Sequence, residues 1–247
     1  MQVQTSQMQT IDVLGIPFAV LTQEEALDVL DSWLGEQKNR IIVTPNPEGV
    51  MIARRNPAFA DALRNADLSL ADGTGIVIAS IFASRRLPQR VRGVDTIFAL
   101  FEKLEKSRDF TAYFLGAEPG VAKMAKEKME ARFTRLKVVG FHHGFFDSDE
   151  SILTEINSLS PDIVLVCTGM PKAEIWATNN RNINARLTLC LGGTLNIMSG
   201  KATLAPPIMR KLGLEWLHRL FTNPSRFTRM LDIPRFILAV LWNALKL

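Results

Sequence analysis

DIVLVCTGMPKAEIW, from Asp162 to Trp176, is an apolar run that ends at a glycine and is followed by a proline and a helical pattern. Five consecutive apolar residues with no alternation suit a strand covered on both faces, and a proline shortly after them suits the first position of a helix. The same unit recurs outward in both directions. Further apolar runs begin near Thr111 (TAYFLG), Leu136 (LKVVGF) and Leu187 (LTLCLGG), with helical segments between the first three. Each step has the length of one βαβ unit, so the expected architecture is a Rossmann-like parallel α/β sheet with crossover helices. Pro119 and Pro171 are expected at the first positions of two of those helices. In such a sheet, ligands bind beyond the carboxyl ends of the strands. The residues expected there are Gly116, His142, His143, Thr168 to Lys172, and Gly192 to Asn196.

Toward the N-terminus the pattern continues. Ile11 to Leu21 reads as strand and turn, and Thr22 with Glu25 has the spacing of a capping box in front of an amphipathic helix. Arg40 to Thr44 reads as a strand followed at once by a helix with Asn46 as N-cap and Pro47 as its first residue. Asn56 and Pro57 repeat that start. The chain then reaches LSLADGTGIVIASI, Leu68 to Ile81, where a short strand ends at Asp72 and two glycines flank Thr74. A lone carboxylate at a strand tip beside a glycine turn suits a general base, and equally suits a helix cap. RRLPQRVRGVD, Arg85 to Asp95, carries four arginines. It is either a solvated basic loop or a place where Arg90 or Arg92 meets a phosphate or a sugar acid.

Composition narrows the classes. With 247 residues, 47% apolar and 22% charged, the chain is long enough for a real core. A formal charge of +4 and an isoelectric point near 9.2 point to an anionic partner. No P-loop occurs, and GAEPG lacks the dinucleotide spacing. Nothing resembles a nucleic-acid module. Cys167 and Cys190 lie within apolar strand-like runs and read as buried thiols, which favours a cytoplasmic setting. Asp147 and Asp149 precede a helical run and read as capping acids rather than a metal motif. The adjacent His142 and His143 have no third ligand at metal spacing, so no metal site and no cofactor are expected. Met1 to Thr10 lacks the features of a signal peptide, and Phe236 to Leu245 is about half the length needed to cross a bilayer.

The tail from Gly213 changes character, mixing Trp216, Phe221, Phe227, Phe236 and Trp242 with His218, Arg219, Arg226, Arg229 and Arg235. Residues 1–212 are therefore expected to form the α/β core, and 213–247 a basic amphipathic helical appendage. That appendage would either lie on an anionic membrane surface or pack on the core with its arginines reaching outward.

Six stretches, in order, resemble one family: TPNPE (Thr44 to Glu48), NADLSLADGTG (Asn65 to Gly75), LPQRVRGVD (Leu87 to Asp95), GMPKAEIW (Gly169 to Trp176), LGGTLNIMSGK (Leu191 to Lys201) and APPIMRKLGLEWLHRL (Ala205 to Leu220). The chain is similar to the WecG/TagA/CpsF glycosyltransferases. The resemblance implies an inverting, metal-independent transfer of a sugar, N-acetylmannosamine or a related hexose, from a UDP-sugar to an undecaprenyl-diphosphate-linked sugar in teichoic acid or surface-polysaccharide synthesis. It implies Asp72 as the base, with Thr44, Asn46 and Arg90 beside it. UDP would lie over glycine turns including Gly73, Gly169, Gly192 and Gly193, near Lys172, Glu174 and Asn196. Arg219, Arg226 and Arg229 would meet diphosphates at the inner face of the cell membrane, where the protein would sit peripherally, as a monomer or a homo-oligomer. Two positions depart from the family. Ala173 stands where glutamine is usual, and Asn196 is the nearest residue to a usual aspartate. The loss at Ala173 also suits an alternative, a catalytically silent protein that binds a nucleotide sugar or a lipid diphosphate.

Overall fold

The computed structural model of the protein describes residues 8–211, Leu217 and 231–245. A hairpin of β1 (Thr10–Val13) and β2 (Ile16–Ala19) leads to α1 (Gln23–Trp33). The capping box of α1 is formed: Glu25 N–H donates to the Thr22 hydroxyl over 3.2 Å and Thr22 N–H to the Glu25 carboxylate over 2.7 Å. The main sheet begins with β3 (Arg40–Val43), then α2 (Pro47–Ala53), α3 (Pro57–Arg64), the two-residue β4 (Leu68–Ser69), α4 (Thr74–Ala79) and α5 (Gly93–Glu105). It continues through β5 (Phe110–Gly116), α6 (Val121–Arg132), β6 (Leu136–His142), α7 (Glu150–Leu159), β7 (Ile163–Cys167), α8 (Lys172–Asn179), β8 (Leu187–Cys190), α9 (Thr194–Met198) and α10 (Pro207–Lys211). The last described helix is α11 (Asp232–Ala244).

Six parallel strands form the sheet in the order β4-β3-β8-β7-β5-β6. One face packs under α1, α5, α6 and α9, with Trp33, Phe101 and Leu195 in its core. The other packs under α2, α3, α4, α7, α8 and α11, with Phe59, Trp176 and Phe236. Cys167 and Cys190 are free and buried, one in each core, and burial pushes the Cys167 thiol up to about 12.

This layering opens the sheet at its carboxyl edge. β5 runs into α6 on the first face, whereas its neighbour β7 runs into α8 on the second, so the chain parts between them. β8 likewise leaves toward the first face between two strands, β3 and β7, that leave toward the second. Such points of divergence are where ligands lie in open α/β sheets.

Two helix starts differ from expectation. Pro119 lies before α6, whose N-cap is Gly120 in a left-handed conformation, and Pro171 is itself the N-cap of α8. Asp149 occupies the N-cap position of α7 without capping it. Its carboxylate instead accepts from Trp176 Nε1 over 2.8 Å and Asn180 Nδ2 over 3.3 Å, tying α7 to α8.

The expected boundary at 212/213 lies outside the described residues, but α11 is seated on the core. Phe236 and Val240 are buried against α2 and α4. Asp232, at the first position of α11, accepts from both terminal nitrogens of Arg55 over 2.8 and 2.7 Å, and from Arg235 over 3.3 Å. The hydrogen bonds from Arg55 hold the Asp232 carboxyl below its ordinary value. A depressed carboxyl contributes stability above its unfolded-state pKa and loses it as pH falls through the folded value. Asp232→Asn should therefore lose about 1–3 kcal/mol in urea unfolding at pH 7, with the difference from wild type closing as the pH is lowered below 4.

Candidate active site

Thr44 leaves β3 with its hydroxyl donating to the carbonyl of Cys190, the last residue of β8, over 3.3 Å. Two residues on, the Asn46 side chain accepts the Gly49 N–H over 2.8 Å and starts α2, with Pro47 behind it. The neighbouring β4 ends at Ser69, three residues before Asp72. That residue is tied to the same loop through its N–H, which donates to the Pro45 carbonyl over 3.3 Å. Gly73 then turns at φ 145°, a conformation that a side chain rarely adopts, and a Cβ there would lie 2.9 Å from Pro47 Cδ. Glycine at this position lets α2 and α4 start side by side.

α5 completes the corner. The N–H of Gly93, its first residue, donates to Asp72 Oδ2 over 3.4 Å. A Cβ on Gly93 would lie 2.9 Å from Thr44 Cγ2 and 2.7 Å from Leu191 Cδ2, so only glycine admits this approach. The positive end of a thirteen-residue helix thus faces Asp72, an arrangement that stabilises negative charge at the helix start. Arg90 reaches across the next turn, donating to the Thr74 hydroxyl over 3.5 Å and to the carbonyl of Arg210 over 3.0 Å. Arg92 is buried and held by Asp95 through Nε to Oδ2 at 2.6 Å. Of the two arginines proposed from sequence, Arg90 adjoins the Asp72 turn through Thr74, and Arg92 is the residue before the start of α5.

Thr44, Asn46, Asp72, Gly73 and Arg90 therefore share one corner, and Gly192 and Gly193 follow directly from β8 beside it. Above Gly169, Gly192 and Gly193 a Cβ would meet nothing within 4 Å, so these turns border open space. Asn196 sits one turn into α9, where its carbonyl accepts from Ala202 N–H over 2.9 Å and its N–H bonds the Gly193 carbonyl over 3.1 Å. Lys172 turns to the opposite side. Its ammonium donates to the Gly144 carbonyl over 3.1 Å and lies 4.4 Å from the centre of the Phe146 ring, next to β6. Arg219, Arg226 and Arg229 lie outside the described residues. Among the described residues, no group of three or more His, Cys, Asp or Glu side chains could hold a metal ion.

Ala173 and Glu174 both face the interior. Ala173 is fully covered in the core under α2 and α8, and Glu174 is 3% exposed with Oε2 lacking any hydrogen-bond partner. Burial pushes the Glu174 carboxyl up to about 7. Two members of the corner were missed from sequence. Gly93 acts through its backbone and Arg210 through a carbonyl, and neither role depends on a side-chain pattern. The one available signal was the place of both residues within the quoted stretches LPQRVRGVD and APPIMRKLGLEWLHRL.

A carboxylate at the carboxyl edge of a parallel sheet, beside an arginine, a helix start and open glycine turns, suits group transfer on anionic substrates in an α/β enzyme. The chain belongs to the WecG/TagA/CpsF glycosyl transferase family, whose pattern matches residues 11–247. It is 32% identical over 211 residues to an N-acetylglucosaminyldiphosphoundecaprenol N-acetyl-beta-D-mannosaminyltransferase of Bacillus spizizenii, covering 85% of this chain and 82% of that protein. Enzymes of the same description from Bacillus subtilis and Staphylococcus aureus are 31% and 30% identical. Those matches cover 95% and 92% of this chain, and 92% and 90% of the respective relatives.

Because Glu174 keeps its proton to about pH 7 when folded, it contributes stability below the ordinary carboxyl range that is lost as pH rises through 7. Glu174→Gln should accordingly be more stable than wild type by about 2–3 kcal/mol at pH 8 and by much less at pH 5, read as the gap between the two denaturation curves.

Proposed function

We propose that the protein transfers N-acetylmannosamine, or a closely related hexose, from a UDP-sugar to the N-acetylglucosamine of an undecaprenyl-diphosphate acceptor, with inversion at the anomeric carbon. The corner in which Gly93 N–H, Thr44 and Arg90 surround the Asp72 turn carries this reading. The names of the related enzymes supply the acceptor and the sugar. In the proposed reaction, Asp72 accepts the proton of the acceptor hydroxyl as that oxygen bonds to the anomeric carbon. The bond from that carbon to the UDP oxygen breaks on the opposite face, and UDP departs with the electron pair. The departing diphosphate gathers charge that arginines and backbone N–H groups at the strand ends are suited to offset. Open space over Gly169, Gly192 and Gly193 supports placing the nucleotide across the ends of β7 and β8.

The acceptor's lipid calls for a membrane surface, and the described helices suggest how the protein meets it. No helix among the described residues is long and apolar enough to cross a membrane. Ile78, Ile81 and Phe82, at and after α4, are exposed. So are Ile237, Leu238, Leu241 and Trp242 on the side of α11 opposite Phe236. This apolar surface, with the basic residues Arg219, Arg226 and Arg229, suits peripheral binding at the cytoplasmic face. The expected appendage, 213–247, would then be the membrane-facing part of a core formed by 1–212.

The reading is tested by UDP release with a panel of UDP-sugars and a soluble undecaprenyl-diphosphate-N-acetylglucosamine analogue. Asp72→Asn should lower acceptor-dependent release about 100-fold or more while leaving UDP binding in place, because it removes the base alone. Equal release by the variant would remove Asp72 from the reaction. Replacing Leu238 and Trp242 by serine should in turn weaken sedimentation with anionic phospholipid vesicles at least several-fold without changing release from a short-chain acceptor.

A further inference from the structure

α4 starts at the Asp72 corner and carries the chain away from it. Its first residue, Thr74, bears the hydroxyl that accepts from Arg90 over 3.5 Å, and a single tight helical turn, Ser80–Phe82, prolongs the helix. Ile76, Ala79 and Ser80 are buried. Ile78 and Ile81 are 56% and 50% exposed, and they follow Thr74 by four and seven residues, the spacing of one helix face. Phe82, also exposed, follows Ile78 by four. At the rise of a helix, an apolar stripe about 12 Å long thus begins at the hydroxyl that Arg90 meets.

α11 lies along this stripe. The Phe236 ring is 3.8 Å from where a Gly75 Cβ would stand, in the first turn of α4. Further from the corner, a small cleft is lined by Ala79 and Phe82 on one side, by Val240 and Ala244 of α11 on the other, and by Leu14 between β1 and β2. The two helices therefore run side by side in the same direction, from Gly75 and Phe236 to Phe82 and Ala244. A contiguous apolar surface left open to water marks a binding partner. The proposed acceptor has a matching order of parts: a sugar, a diphosphate and then a polyprenyl chain. With the sugar hydroxyl at Asp72, that chain has to leave the corner, and α4 supplies an apolar route that starts there.

We propose that the exposed face of α4, beside α11, holds the first isoprene units of the acceptor's polyprenyl chain. The inference rests on the proposed transfer reaction. Continuity of the stripe with the Asp72 corner favours the tail over bulk lipid as its occupant, because the tail is tethered to the reacting sugar.

The test uses the full chain in lipid-free buffer, with N-acetylglucosamine diphosphate esters of methanol and of farnesol as acceptors, the latter kept below its micelle threshold. KM is measured for each acceptor, with vesicle sedimentation and the ligand-free thermal midpoint recorded alongside. Wild type should show a KM about tenfold or more lower for the farnesyl acceptor. The double variant Ile78→Ser with Ile81→Ser should reduce that advantage to about threefold or less, with the methyl-acceptor KM and the midpoint unchanged, and Phe82→Ser should lose part of it. Phe145→Ser, which removes an exposed ring beyond β6 at the opposite edge of the sheet, should keep it in full. Equal KM values for the two acceptors in wild type would overturn the inference and leave the transfer reading intact. A double variant that keeps the farnesyl advantage but sediments less with anionic vesicles would also overturn it, by making the stripe a bilayer contact. A lowered midpoint in both α4 variants, with a loss on both acceptors, would overturn it by making these side chains structural. No turnover of either acceptor with any UDP-sugar would overturn the transfer reading, and the inference with it.

Discussion

A parallel sheet gathers the carboxyl ends of its strands on one edge, and the chain must turn there without leaving backbone groups unpaired. At the β3 and β4 end of this protein, that requirement is met by hydrogen bonds that also build the site. Val91 N–H closes on the Ala71 carbonyl over 3.0 Å, which brings the start of α5 to the end of β4. Gly93 N–H, two residues later, reaches Asp72, and Thr44 reaches across to β8. A displaced α5 would therefore take the surroundings of Asp72 with it.

Small residues make that convergence possible. Gly93 admits Thr44 and Leu191 to within van der Waals contact of its Cα, and Gly73 with Gly75 lets Pro47 lie against the start of α4. On the outer side, Phe236 of α11 presses on the same place, its ring 3.8 Å from where a Gly75 side chain would begin. The buried Asp232 pair with Arg55 fixes α11 to the end of α2, so the C-terminal helix is anchored to the element that carries Asn46. Packing on the side of α11 that faces the core thus links the candidate membrane-facing surface to the Asp72 corner through two helices.

Electrostatics around the site are uneven. Arg90 donates to the Arg210 carbonyl on the α10 side, while Glu174 lies covered within α8, where burial raises its carboxyl above the ordinary range. Lys172, two residues before Glu174 in α8, donates to the carbonyl of Gly144 and lies over the ring of Phe146.

Much was legible in the chain because its signals are local. Apolar runs marked β5 to β8, and Thr22, Asn46 and Asn56 cap their helices as their spacing predicts, since each cap bonds an N–H within three residues. Asp72 stood out as a lone acid at a strand tip. Helix starts at Pro119 and Pro171 were misplaced by one or two residues because proline also serves turns that precede a helix, and Asp149 was drawn away from capping by Trp176, a partner 27 residues distant. The sequence by itself determined the parallel α/β class, the helix caps and the candidate base. Only the tertiary structure decided strand order, the inward placement of Ala173 and Glu174, and the meeting of Gly93 and Arg210 with the Asp72 turn. Those depend on contacts between segments about 20 to 140 residues apart, where sequence spacing carries no trace of which backbone group will arrive.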